Sequence, residues 1–486
     1  MEKKIDVKVN HEIFPLIVAA GLIMAILWGV LFHGPSFKKY MFAALFLIVL
    51  ACFLILYGLK KKIVLSRTII PLLAIYILLP PLSLSSSIPD LRFGFIFVLL
   101  LWLLYFLGHR TGRRRALFVW DRSMIWFVLF GISICVSITF SALVLDYQPL
   151  LRDWFELLKI VQYFLIFALV VGMDIRDGDY KKIYLWSLAI FALAVFFGFA
   201  QYFNLFDVNR IIVPYYTTTQ LKGLLVHKRI IGTTANPNDF AALLVIGSSL
   251  ALSGFLYLKE KFLRYTSIIC FVLFALATAL TLSRTGLVIQ IVACAFILFG
   301  HYLFHLARLK KIRVFIVVIV VLLLIISLIV WLAPEKFYIR MTSGLNIIDD
   351  NSWQLRMGRW GEALNLWRQS PFFGWGPGKK TMTTIVDNEW ILLLRRYGIL
   401  GVSVFVLWFG GYLVTLVKLA RSLNRRAGDE DRYLKVLVVA MQATLVSYAV
   451  YMMPSAVYHS LQLMPILMIY LGLILASLNN RKKVFY

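Results

Sequence analysis

Most residues of this chain that could do chemistry are cations, and they recur in short stretches beside apolar runs. The first stretch, His227-Lys228-Arg229-Ile230-Ile231-Gly232, leads into Asn236-Pro237-Asn238-Asp239-Phe240-Ala241. Asn or Asp ahead of an apolar run caps the free N–H groups of a helix start. The same start beside Lys228 and Arg229 also suits an anion. The second stretch, Thr281-Leu282-Ser283-Arg284-Thr285-Gly286, separates two apolar runs that nearly touch. Arg284 either snorkels to lipid headgroups or joins the hydroxyls of Ser283 and Thr285 around an anion.

A third stretch runs from Asp349 to Gly378. Trp353, Met357, Trp360, Leu364 and Trp367 recur at helical spacing, which predicts one apolar face, with Arg356, Arg359 and Arg368 on other faces. Such a helix lies in a membrane interface; it is either a solvated amphipathic helix or a roof that points Arg356 or Arg359 into a cavity. Next comes Gly374-Trp375-Gly376-Pro377-Gly378-Lys379-Lys380, read as a plain turn or as a set of N–H groups able to cradle phosphate with Lys379. Then Asp387-Asn388-Glu389 stands at the return into an apolar run. Asp387 and Asn388 can cap that helix; a carboxylate beside arginines can equally act as a general base. Glu156 and Lys159, three residues apart, suit an ion pair. The seven histidines form no metal-ligand spacing and Gly-x-Ser-x-Gly is absent, so metal and serine-nucleophile chemistry have no support in the sequence.

The elements that must position these residues follow from composition. Of 486 residues, 61% are hydrophobic and 15% charged, against about 45–50% and about 25% in soluble domains. A spanning helix takes roughly 20 apolar residues, so the apolar content suits about 14 spans. We place them near 14–32, 40–59, 68–84, 93–108, 124–145, 155–173, 183–203, 240–258, 266–282, 286–304, 314–332, 397–417, 434–452 and 460–478. The expected fold is all-α: a polytopic helical membrane protein, 1–486 forming a single integral membrane domain. The apolar runs do not alternate, which excludes a β-barrel. The four cysteines lie within apolar runs and read as small hydrophobes.

The net charge of +27 fits topology better than nucleic acid. With the N-terminus inside, the short basic loops alternate to one side, so both termini are expected to be cytoplasmic. The first apolar run is long enough to remain as an anchor rather than a cleaved signal. Two segments on the other side exceed ordinary connections: 204–239, the first outer loop, and 333–396, a large outer loop holding the amphipathic helix.

Taken in order, these stretches resemble the O-antigen ligase and polymerase superfamily of bacterial surface-polysaccharide enzymes. The matching pieces are Arg-x-x-Gly…Asn-Pro-Asn-x-x-Ala from Arg229 to Ala241, Ser-Arg-Thr-Gly from Ser283 to Gly286, and Arg…Trp…Ala at Arg356, Trp360 and Ala363. Pro-x-x-Gly-x-Gly-x-Gly from Pro371 to Gly378 and Asn…Leu…Gly-Ile-x-Gly from Asn388 to Gly401 complete the set. The resemblance implies a metal-independent glycosyltransferase of the inner membrane that needs no cofactor, its active site extracytoplasmic. The implied donor is a polyprenyl-diphosphate-linked oligosaccharide and the acceptor a glycan hydroxyl, with membrane lipids as surroundings and a chain-length regulator as an admissible protein partner. It implies that Arg229 and Arg284 grip the diphosphate, with Asp387 the third catalytic candidate. Arg356, Arg359, Asn238, Asn388, Lys228 and Lys379 are the substrate-binding candidates. The ligase branch carries His where this chain has Asp387, which leans the reading towards polymerase, with ligase as the alternative. A transporter of lipid-linked oligosaccharide is the alternative of another class; such proteins usually carry ionisable residues at mid-membrane.

Overall fold

Long apolar runs in lipid must satisfy their own backbone, which makes helices of them. The computed structural model describes residues 68–80, 93–110, 120–173, 175, 177–217, 228–303, 351–379, 386–425 and 431–484, and among these the regular elements are all helical. The longer ones are α1 (Ile69–Leu78), α2 (Phe93–Arg110), α3 (Ile125–Val144), α4 (Leu151–Val171), α5 (Asp177–Phe203) and α6 (Pro237–Tyr257). There follow α7 (Lys261–Leu280), α8 (Arg284–Leu303), α9 (Asn351–Gln369), α10 (Glu389–Arg425), α11 (Asp431–Tyr451) and α12 (Leu463–Val484). Eight of the helices are long and apolar enough to cross a membrane: α3 to α8, α10 and α11; Ile69–Leu78, Gly94–Leu103 and Leu463–Asn479 are shorter apolar helices. Each of these falls on a segment expected to span. The expected segments 14–32, 40–59 and 314–332 lie outside the described residues, so the number fourteen is not established.

Helix α6 is the hub, packed against α5, α7, α8 and α11. Its sequence explains this: Ala, Gly and Ser are frequent along it, and small residues let helix backbones approach where hydrophobicity supplies no preference for protein over lipid. Every residue from Phe240 to Gly254 is buried. Helix α12 packs on α4, α10 on α3 and α11, and α9 lies against α10.

The helix α10 begins at Glu389, eight residues before the expected span at 397, and so takes in Glu389, Arg395 and Arg396. Its path breaks at Gly398, where φ is 61° and ψ is −166°, a conformation that only glycine adopts readily. The break exposes backbone groups, and the segment after α9 takes them up. Trp375 N donates to Arg395 O at 2.9 Å, Gly376 N to Arg396 O at 2.8 Å, and Ile399 N to Pro371 O at 2.9 Å. Apolar periodicity across the break concealed where the helix starts.

The contacts between α9 and α10 advance in step. Arg356 meets Asp387, Ala363 clusters with Val386 and Leu392, and Pro371 meets Ile399, so α9 runs alongside the first part of α10 in the same direction. The buried face of α9 differs from the expected one. Met357 is half exposed, and Arg356 takes its place in a face of Trp353, Arg356, Trp360 and Ala363.

Candidate active site at one end of the bundle

The starts of α4, α6, α8 and α10 and the ends of α3, α7 and α11 share one end of the bundle, and all the expected site residues lie there. Asn236 caps α6: its Oδ1 accepts from Asp239 N at 2.9 Å, and Pro237 follows at the first helical position. Ser283 does the same for α8, its Oγ accepting from Gly286 N at 3.1 Å. The two caps touch, for Ser283 Oγ also donates to Asn238 Oδ1 at 2.8 Å. A Cβ on Gly286 would overlap the Ala241 methyl group, so the small residues ending both motifs let the two helix starts meet. Capping and joining are thus what Asn236 and Asn238 do in the fold.

Arg229 belongs to this junction. Its Nε donates to Thr281 O at 3.0 Å, and Ile230 N donates to Leu280 O at 3.3 Å. The strand of chain ahead of α6 therefore lies across the α7–α8 turn, with Arg229 on the carbonyl three residues before Arg284. Both arginines are partly exposed, as is Ser283's neighbour Thr285, whereas Lys228 is exposed outright. Two positive helix ends meet here, with Arg229 anchored on the turn that bears Arg284.

Asp387 lies on the neighbouring seam, where its Oδ2 is 3.7 Å from Arg356 Nε, both side chains about one-third exposed. Asn388 is a cap, its Oδ1 accepting from Ile391 N at 3.0 Å. Arg359 sits partly buried on α9, three residues beyond Arg356. The two groups of residues are connected through the end of α11. Tyr451 donates its hydroxyl to Asp239 Oδ1 at 3.1 Å, and the next carbonyl, of Met452, accepts from Glu389 N at 2.8 Å.

Beneath the glycine-rich turn lies an ion network. Glu156 is fully buried, with Lys159 Nζ and Lys379 Nζ each 3.1 Å and Arg396 Nη1 3.4 Å from its Oε1. The Glu156–Lys159 pair expected from spacing is therefore present, but shared with two distant cations. His459 completes the network. Its Nδ1 lies 2.6 Å from Glu389 Oε1, and its Nε2 accepts from Arg396 Nη1. That arrangement assigns a neutral imidazole carrying its proton on Nδ1. Burial, with Arg396 adding to it, holds the His459 pKa below the ordinary histidine value, against the pull of Glu389. Glu389 is also fully buried and receives Tyr458 N on its other oxygen at 3.0 Å.

The glycine-rich turn spends its N–H groups internally. Gly376 N also donates to Ser137 Oγ at 2.9 Å, and Lys379 N donates to Asp153 Oδ1 at 3.0 Å. Lys379 places its ammonium on Glu156 and on Arg152 O. Of the two readings of this turn, the packed one accounts for every bond seen.

Sequence reasoning missed Arg395, Arg396 and His459. Two consecutive arginines inside an apolar stretch were the available signal for the first two; His459 offered none, because its partners lie 63 and 70 residues away. Among the described residues no group of His, Cys, Asp and Glu could hold a metal ion.

The fold and this site define a polytopic helical membrane protein with a basic, carboxylate-bearing site at one end of its bundle. Residues 268–406 match the family model described as O-Antigen ligase, which supports membership of the O-antigen ligase and polymerase superfamily. The match runs from within α7 through α9 and past the break in α10 to Val406, and so takes in Arg284, Arg356, Lys379, Asp387 and Arg396. No curated protein matches the chain.

Proposed function

We propose that the chain is a membrane glycosyltransferase. In this reading it polymerises polyprenyl-diphosphate-linked oligosaccharide units on the outer face of the bacterial inner membrane. The observation that carries the reading is the meeting of Arg229 with the α7–α8 turn that bears Arg284. A diphosphate gains negative charge as its bond to the sugar breaks. In this reading Arg229, Arg284 and the two helix starts together stabilise that charge in the transition state.

The reaction balances with residues of this chain alone. The acceptor hydroxyl oxygen attacks the anomeric carbon; the carbon–oxygen bond to the diphosphate breaks, and the polyprenyl diphosphate leaves with the electron pair. The hydroxyl proton passes to Asp387. Attack opposite the leaving group inverts the anomeric centre. Asp387 suits the role better than Glu389, because it is open to solvent beside Arg356, whereas both Glu389 oxygens are occupied. Arg356 and Arg359 face the acceptor side, and Lys228 draws the anionic donor in. Asp387 in place of the ligase branch's histidine favours polymerisation over ligation to a core lipid. The grouping of arginines at one end favours a one-sided reaction over transport.

The test is transfer by purified protein supplied with lipid-linked oligosaccharide. Arg284→Glu is expected to abolish product, and Arg229→Gln to lower turnover about 100-fold or more. Full turnover in both variants would remove the diphosphate grip.

A further inference from the structure

Consecutive arginines on α10 meet different surroundings. Arg396 points to the network of Glu156 and His459. Arg395 is 3% exposed, yet its Nε donates to nothing and no ion pair among the described residues includes it.

Helical spacing locates it. Ile391, Leu392 and Arg395, separated by one and three residues, form one stripe of α10 that begins beneath the cap Asn388. Ile391 and Leu392 of that stripe pack with Trp360 and Ala363 of α9. The backbone carbonyl of Arg395 accepts from Trp375, so the segment leaving α9 closes the lower end of the same seam. On the facing helix the indole Nε1 of Trp360 is also buried without a hydrogen-bond partner.

The Nε of Arg395 and the Nε1 of Trp360 are therefore donors buried on the two sides of one seam with no acceptor among the described residues. A buried donor left unpaired costs free energy, and a buried unpaired guanidinium costs much more. One group satisfies both: an oxygen carrying negative charge pairs with the guanidinium and accepts from the indole N–H. The rim of this seam holds Arg356 and Asp387. Asn388 to Arg395 is seven residues, about 10 Å along a helix, a distance that a sugar chain entering at the rim can bridge.

We propose that the seam between α9 and α10 is an anion subsite. There Arg395 and the Trp360 indole N–H hold a carboxylate or phosphate oxygen of the substrate. Its occupant is either an acidic sugar of the glycan or a phosphate of the carrier. The inference rests on the proposed glycosyl transfer only for the identity of the substrate; the orphaned donors stand without it.

Thermal melting of the full chain in neutral detergent tests it, with methyl β-glucuronide, methyl β-glucoside and inorganic pyrophosphate as probes. Wild type is expected to melt several degrees higher with an anionic probe and unchanged with the glucoside. Arg395→Met is expected to lose that shift while melting higher than wild type without any probe, because an unpaired buried charge has gone. Trp360→Phe, which keeps an aromatic ring and loses the N–H, is expected to reduce the shift. A shift with glucuronide that depends on Arg395 identifies the acidic sugar, and a shift with pyrophosphate alone that depends on Arg395 identifies the carrier phosphate. Should Arg395→Met fail to accumulate, Arg395→Gln serves in its place. Anionic shifts that are absent in wild type, or equal in wild type and the Arg395 variant, overturn the subsite. A pyrophosphate shift unaffected by Arg229→Gln and Arg284→Gln counts against the diphosphate grip and leaves the subsite standing.

Discussion

The Nδ1 of His459 lies 2.6 Å from Oε1 of Glu389, which ties the loop before α12 to the first residue of α10. The opposite ring nitrogen receives Arg396, and Glu156 Oε2 stands 3.7 Å from it. The imidazole is thereby held neutral between one cation and two carboxylates, with its pKa pushed down chiefly by burial.

A pH dependence follows with a definite sign. Unfolded His459 takes up a proton near pH 6.5, about the ordinary value, whereas the folded form does so only at lower pH. Below about 6.5 the unfolded state binds more protons, so His459 lowers stability as pH falls from there to its folded pKa. The slope is at most about 1.4 kcal/mol per pH unit for one group. Melting curves between about pH 5 and pH 8 should show this loss in wild type, and His459→Gln should flatten that part of the profile. An unchanged acid limb in the variant would mean that His459 titrates alike in the folded and unfolded states and is not held neutral by the fold.

Gly398 offers a sharper test of the backbone. Its φ is 61°, and a Cβ there would overlap Phe372 O. Gly398→Ala should therefore destabilise by about 3 kcal/mol or more, from backbone strain together with collision. Arg395 and Arg396 precede the break, so transferase activity should fall with it. Melting temperature checks the first effect and product yield the second. A variant that melts like wild type would show that α10 can run straight.

Neighbours Asp387 and Asn388 should separate cleanly. Asn388→Ala removes a cap and should cost about 1 kcal/mol of stability, with turnover reduced only modestly. Asp387→Asn breaks a pair about one-third exposed and should leave stability within about 1 kcal/mol, while turnover falls about 100-fold or more as a proton acceptor is lost. Stability and initial rate on the same preparations decide it. Equal losses of turnover would reassign Asp387 from base to scaffold.

Much of the fold was legible because helix formation in apolar runs is local. The cap at Asn236, the tight α7–α8 turn and the pairing of Glu156 with Lys159 all depend on residues within a few positions of each other. Where reading failed, a local pattern had two solutions. Trp353, Met357 and Trp360 satisfy helical periodicity as well as Trp353, Arg356 and Trp360 do. Which one is buried depends on α10 lying alongside, with Asp387 to meet Arg356. Similarly, Gly374 to Gly378 is a flexible turn in isolation, and the gap opened at Gly398 gives the N–H groups of Trp375 and Gly376 carbonyls to bind.

By itself the sequence determined that this chain is a helical membrane protein whose polar residues collect where apolar runs end. That much follows from the cost of leaving backbone groups unpaired in lipid, which each segment must meet on its own. Tertiary structure alone decided that Glu156 takes Lys379 and Arg396, that His459 stands between Glu389 and Arg396, and that Arg395 meets no counter-charge among the described residues. Charges more than 60 residues apart are paired by how rods pack at one end of a bundle, and no spacing along the chain encodes that.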